Sequence, residues 1–269
     1  MIKKIMLRII TVVGIVVIIT SIIGIIASVY ITTRPAAKTD IKNKIVKETV
    51  KSVEKPKNNI YNVLSMGDSI ANGTGDETGR GFADYYADSY KKSTKQTIKV
   101  NNIAVNGDVS DGLSQIVRNK ATSPIIQSAN LIFISIGGNE IKQFATSNDI
   151  SSLAGIKTVE DHYLSNLGNV FKKIRGENSN CTIVFIGLYN PFGDDITQDK
   201  LQLLDDWNYE TQKLVSDDSN AVYIPTYDLF KYNMKKYLTI DNFHPNSEGY
   251  KAIARRIEET LKNRLQVEN

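Results

Sequence analysis

The first long pattern in the chain is apolar and uncharged. From Ile9 to Ile31 it runs through Ile, Val, Gly, Ala, Thr and Ser with scarcely a break. Roughly 20 such residues in a helix span about 30 Å of hydrocarbon, so the run predicts a transmembrane helix behind a short basic tail, residues 1–8. From Thr32 to Asn59 the pattern is lysine-rich and holds two prolines. Ile41, Ile45, Val46, Val50 and Val53 make a helical stripe too sparse for a core, and we read this segment as a stalk. From Ile60 to the C-terminus short β-rich runs alternate with helical patterns. Strands are predicted over Tyr61–Ser69, Ile98–Val105, Asn130–Gly137, Thr182–Leu188 and Ala221–Thr226. The third is apolar almost throughout, as a strand buried on both faces should be. Helices are predicted over Phe82–Lys92, Gly112–Lys120, Val159–Arg175, Lys200–Val215 and Ser247–Leu265, the last with Ala252, Ile253, Ile257 and Leu261 at helical spacing. Alternating strands and helices imply right-handed crossovers, a parallel sheet, and chemistry at the carboxyl ends of the strands.

Composition adds little to this until it is divided. The chain has 269 residues, 41% hydrophobic and 23% charged, with a net charge of +4. Residues 1–57 carry 11 Lys/Arg and 3 Asp/Glu, leaving 22 basic and 26 acidic residues in the remainder, a net −4. A mildly acidic domain argues against a nucleic-acid partner. The basic stretch would lie beside anionic headgroups, or serve as a solvated spacer.

The apolar run competes with a cleaved signal peptide. It is longer than the usual core of about 7–15 residues, and no A-x-A site follows it, so an uncleaved anchor is expected. Lys3, Lys4 and Arg8 favour a cytoplasmic N-terminus, while Arg34, Lys38, Lys42, Lys44 and Lys47 weaken the bias from the other flank. A signal-anchor with the domain on the extracytoplasmic side is the expectation. Cys181 is the only cysteine, which excludes an internal disulfide and does not identify the compartment.

Four polar clusters follow strands or stand in the final loop: Gly67-Asp68-Ser69, Asn106-Gly107-Asp108, Gly137-Gly138-Asn139-Glu140, and Asp241-Asn242-Phe243-His244-Pro245. Singly, each reads as a turn or a helix entry. Together they contain a hydroxyl, a base, a carboxylate to orient the base, and donors for an oxyanion. The ordered set resembles the SGNH (GDSL-type) hydrolase family, of the bacterial lipase/acylhydrolase type, over about Asn62 to Tyr250. The resemblance implies a three-layer α/β/α sandwich with a roughly five-stranded parallel sheet, flavodoxin-like in plan.

It also implies Ser69 as nucleophile, His244 as general base and Asp241 as the residue that fixes the imidazole. The oxyanion donors would be the backbone N–H groups of Ser69 and Gly107 and the side chain of Asn139. No metal or organic cofactor is needed. The substrate would be a lipid acyl ester, an acetylated sugar or another small ester. Two departures from the family pattern are Ile70, where leucine is usual, and Glu140, where aspartate is frequent.

Asp68 and Asp108 read as structural turn residues, His162 as a helix residue, and Trp207 and Tyr209 as packing. The polar stretch Lys142–Thr158 reads as a loop above the site, a lid or substrate wall. Two other classes remain open. One is a non-catalytic binding module on the same fold. The other is a metal-dependent phosphoesterase using Asp68, Asp108, Asp241 and His244, though such sites usually take more ligands.

Overall fold

The structure, a computed structural model, describes residues 60–146, 155–191, 193 and 196–267. The basic tail, the expected transmembrane helix and the stalk lie outside them. Among the described residues no helix is long and apolar enough to cross a membrane.

Five strands, β1 (Ile60–Gly67), β2 (Thr97–Asn102), β3 (Leu131–Ser135), β4 (Thr182–Ile186) and β5 (Ala221–Ile224), form one sheet in the order β2-β1-β3-β4-β5. All neighbours are parallel, with Val63 paired to both Val100 and Leu131, and Leu131 in turn to Thr182. Successive residues of a strand point to opposite faces. Leu64, Met66, Ile132, Ile134, Ile183 and Phe185 face one layer of core. Val63, Leu131, Phe133, Val184, Ile186 and Ile224 face the other. Burial on both sides explains why these strands read as continuous apolar runs.

The helices are α1 (Ser69–Asn72), α2 (Phe82–Thr94), α3 (Ser110–Arg118), α4 (Ser123–Ser128), α5 (Gly138–Thr146) and α6 (Ile156–Glu177). They continue with α7 (Gln198–Ser216), α8 (Tyr227–Lys231), α9 (Met234–Tyr237) and α10 (Ser247–Val267). The first core layer takes residues from α3, α4, α6 and α7, and the second from α2, α8 and α10. The result is the three-layer α/β/α architecture expected, with the order reversing between β1 and β3. That switch point is where such sheets carry their sites.

Each expected strand ran a few residues too far. β1 stops at Gly67 (φ +125°), and Ser69 is the first residue of a helix rather than the last of a strand. β3 likewise stops at Ser135, ahead of Gly137 (φ +115°). The stretch Lys142–Thr158 is also corrected: α5 runs through Thr146 and α6 starts at Ile156, so both its ends are helical. Residues 147–154 lie outside the described residues.

Candidate active site

The turn after β1 is built so tightly that only glycine fits. A Cβ on Gly67 would meet the Ser135 carbonyl oxygen at 1.9 Å. Asp68 then caps α1: its Oδ1 accepts from the Ile70 N–H at 3.0 Å and from the Ser135 hydroxyl at 3.1 Å. Its own N–H donates to the Ser135 carbonyl at 2.8 Å. Burial pushes the Asp68 carboxyl up to about 7, against the hydrogen bonds it accepts. This capping role fits the structural reading of Asp68. Ser69 follows with its hydroxyl aimed at the loop before α10.

That loop, residues 239–246, is held by one carboxylate. Asp241 Oδ1 accepts from the Thr239 hydroxyl at 2.5 Å, the Phe243 N–H at 2.8 Å and the His244 N–H at 2.9 Å. Its Oδ2 faces His244 Nδ1 at 2.7 Å. Asn242 takes a left-handed conformation (φ 54°), and an isolated antiparallel bridge between Leu238 and Pro245 closes the loop's base. Partial desolvation opposes ionisation of Asp241, but these four donors outweigh it and hold the carboxyl well below the usual range. An anionic Asp241 directs the Nδ1 proton toward itself, so the neutral imidazole presents Nε2 as an acceptor. Nε2 lies 3.1 Å from Ser69 Oγ. The structure thus brings Ser69, His244 and Asp241 into one hydrogen-bonded line.

The other two clusters meet the first at the same edge. Asn106 and Gly107 form the turn after β2, closed by the Asp108 N–H on the Val105 carbonyl at 3.0 Å; Gly107 has φ +73°. Asn106 Oδ1 accepts from Asn72 Nδ2 at 2.8 Å and from the Thr74 hydroxyl at 2.7 Å, which ties this turn to the segment after Ser69. From α5, Asn139 Nδ2 donates to the Asp108 carbonyl at 2.8 Å, leaving its second N–H for another acceptor. Glu140 Oε1 accepts the Ser110 N–H at 2.5 Å. The longer side chain at 140 therefore reaches across to the first turn of α3 and pins the two loops together. Burial raises the Glu140 carboxyl in spite of that bond.

Four supports were not read from the sequence. Glu77 accepts from the N–H and the hydroxyl of Ser247, joining the segment after α1 to the start of α10. Tyr250 reinforces that joint through its hydroxyl on the Thr74 carbonyl at 2.7 Å. Tyr189, stacked on Phe230 at 4.0 Å, donates its hydroxyl to the Phe243 carbonyl at 2.5 Å, one residue before His244. Tyr189 stands just past β4, at the carboxyl end of a strand, and its position was the one available signal. Asn208 keeps that segment straight by bonding both the N–H and the carbonyl of Leu188, as a neighbouring strand would.

A largely apolar cleft opens from Ser69 and Asn139 along Ile70, Ile141, Leu188 and Leu204. His162 takes no part in it. It is exposed on α6, with Nε2 within 3.1 Å of both carboxylate oxygens of Asp111. Trp207 is buried against Tyr163. Tyr209, expected to be packing, is exposed instead, with the Lys213 ammonium 5.4 Å from its ring centre. Among the described residues no group of three or more His, Cys, Asp or Glu side chains could hold a metal ion.

Fold and site together define an α/β/α protein with a serine–imidazole–carboxylate arrangement at the carboxyl edge of a parallel sheet. The chain belongs to the GDSL-like Lipase/Acylhydrolase family, whose profile matches residues 63–257, and is a carboxylic ester hydrolase. It is 28% identical over 207 residues to the YpmR protein of Bacillus subtilis, covering 74% of this chain and 81% of that one. It is 26% identical over 212 residues to the spore germination lipase LipC of Bacillus licheniformis, covering 75% and 97%. Among solved structures, the lipase Lip_vut3 from a goat rumen metagenome superposes with a TM-score of 0.66 at 23% identity, covering 74% and 96%. The acetylxylan esterase Axe2 of Geobacillus stearothermophilus does so at 0.58 and 17% identity, covering 73% and 92%. At these identities the two structures speak for the fold alone.

Proposed function

We propose that the protein cleaves carboxylic esters through an acyl-Ser69 intermediate. The observation that carries this reading is the line from Ser69 Oγ to His244 Nε2 at 3.1 Å and from His244 Nδ1 to Asp241 Oδ2 at 2.7 Å, at the end of an apolar cleft. His244 takes the Ser69 proton as Oγ bonds to the ester carbonyl carbon. The negative charge on the carbonyl oxygen is received by the N–H groups of Ser69 and Gly107 and the free N–H of Asn139. When the carbon–oxygen bond to the alcohol breaks, His244 Nε2 returns the proton to the leaving alcohol. Water, deprotonated by the same imidazole, then attacks the acyl carbon, releases the acid and restores the Ser69 hydroxyl.

The relatives support this chemistry. Variants of the Geobacillus esterase described as catalytic mutants replace a serine, a histidine and an aspartate. That aspartate stands three residues ahead of the histidine, as Asp241 stands ahead of His244. The lipase and acetylxylan esterase among the relatives keep both lipid acyl esters and acetylated sugars in view as substrates. We also propose that the apolar run over residues 9–31 anchors the domain on the extracytoplasmic side of a membrane, on the strength of its length and its basic N-terminal flank.

The test of the catalytic reading is covalent labelling of the full chain with a fluorophosphonate. Wild type should label and Ser69→Ala should not. Equal labelling of both, or none of the folded wild type, would overturn it, and the second result would favour a binding module.

A further inference from the structure

An ester has two halves, and two chemically different surfaces meet at Ser69. One is the cleft, with apolar walls at Ile141, Leu188 and Leu204. The other is made by Asn72, Thr74 and Asn106, none of which lines that cleft. Asn72 lies three residues after Ser69, on the same face of α1. The Thr74 N–H donates to the Ser69 carbonyl at 3.0 Å. Asn106 immediately precedes Gly107, the residue whose N–H is assigned to the oxyanion. Asn72 and Asn106 are exposed, and Thr74 is half-buried. The segment they share then passes His244, where a Cβ on Gly75 would meet His244 Cβ at 2.8 Å. These side chains therefore stand beside the residue that returns a proton to the leaving alcohol.

Their hydrogen bonds fix how they face a ligand. Asn106 Oδ1 accepts from Asn72 Nδ2 at 2.8 Å and from the Thr74 hydroxyl at 2.7 Å. Two donors on one oxygen set the plane of the Asn106 amide and turn its Nδ2 hydrogens away from both. Asn72 keeps its Oδ1 and its second Nδ2 hydrogen for other partners, and the Thr74 oxygen can still accept. The result is a neutral shelf with donors and acceptors side by side, held in place before anything binds. Hydroxyl groups also donate and accept, so a polyhydroxylated ligand matches it, and the fixed amides lose little freedom on binding. An apolar alcohol laid over the same atoms would strip them of water and pair none of them.

We propose that Asn72, Thr74 and Asn106 form the subsite for the alcohol half of the ester, and that this alcohol is a polyol. Its further hydroxyls bind the amide shelf while the acyl half lies along Ile141, Leu188 and Leu204. Glycerol and a sugar share the chemistry the shelf recognises. This inference rests on the ester-hydrolase reading of Ser69 and assigns the alcohol subsite of that same site.

The test compares matched esters of one acid on the full-length protein. One pair is 1-hexanoylglycerol and propyl hexanoate, which differ only in the hydroxyls of the alcohol. The other is 6-O-hexanoylglucose and cyclohexylmethyl hexanoate, which sets a sugar against an apolar ring. In at least one pair kcat/KM should favour the polyol member by about tenfold. The pair that shows it distinguishes a glycerol from a sugar. That ratio should fall toward one in Asn72→Leu and in Asn106→Ala. Both members of a pair share the acyl group and the bond that breaks, so the ratio cancels any general loss of rate. Asn72→Leu also leaves the bond between Thr74 and Asn106 in place, which keeps the turn before Gly107 tied. No preference for the polyol in either pair, or a preference unchanged in both variants, would overturn the proposal. Fluorophosphonate labelling of Ser69 is run alongside. Labelling without a polyol preference refutes the subsite alone, whereas loss of labelling and of all turnover refutes the catalytic reading and this proposal with it.

Discussion

At the scale of single residues, the site concentrates its demands on a few atoms. Ser69→Ala or His244→Ala removes the nucleophile or its base, and kcat should fall by about 10³-fold or more. Circular dichroism and thermal melting should stay close to wild type. A near-normal rate in either variant would remove that residue from the mechanism. Asn139→Ala should cost about 10²–10³-fold in kcat if its amide serves the oxyanion. It also cuts the bond to the Asp108 carbonyl, so KM should be measured with it to separate the two roles. Asp68 gives a pH signature. Its carboxyl is pushed from an ordinary 3.8 up to about 7 in the folded protein. Between those values the unfolded chain has released the proton and the folded chain still holds it. The contribution of Asp68 to stability therefore declines as pH rises through that window and levels off above it. Asp68→Asn cannot ionise, so its stability relative to wild type should improve between pH 5 and pH 8 in urea titrations. A constant difference would mean that Asp68 does not titrate there. These residues were legible because each cluster combined a turn signal with a chemically capable side chain in a fixed order. Tyr189 and Glu77 were not, because their roles depend on partners 54 and 170 residues away in the chain.

At the scale of elements, the site is a joint between two loops, and Glu77 is its clasp. The carboxylate binds both donors of Ser247, and Gly75 (φ +96°) lets the same segment pass against the His244 loop. A Cβ at Gly75 would meet the Pro245 carbonyl oxygen at 2.6 Å and His244 Cβ at 2.8 Å. Glu77→Ala should loosen the His244 loop and lower kcat by about tenfold, since small misplacements of a catalytic group are costly. KM should change little, because Glu77 does not line the cleft. Glu77→Gln keeps one acceptor and should recover part of the rate, an ordering that a merely destabilising role would not give. The hydrogen bonds from Ser247 lower the Glu77 carboxyl, so the ionised clasp persists to pH values below the ordinary carboxylate range and opens only as pH falls through the lowered value. The five strands and the long helices could be read from hydrophobic period. The short helices α1, α4, α8 and α9 span six residues or fewer, too few for a 3.6-residue period to declare itself. The helix α5 was missed whole, because its start read as a polar cluster after β3 and its end as a polar loop from Lys142 onward.

At the scale of the whole molecule, the described residues account for a catalytic domain that begins at β1, and the apolar run of residues 9–31 precedes it. Nothing in the sheet or the site requires that run, so its removal should separate anchoring from chemistry. The full-length protein should remain in the membrane fraction after alkaline carbonate extraction. A chain starting at residue 58 should be soluble and should hydrolyse water-soluble esters with the same kcat/KM. The apolar run has the length of a span and a basic N-terminal flank, and these two features carry the expectation. Recovery of the full-length protein in the carbonate supernatant would refute the anchor. An intact mass showing loss of the first thirty or so residues would instead make the run a cleaved signal, while leaving secretion of the domain in place. If the anchor holds, protease added to intact cells should degrade the domain, because the proposed orientation exposes it. Protection until the cells are lysed would reverse the orientation and put its ester substrates on the cytoplasmic side.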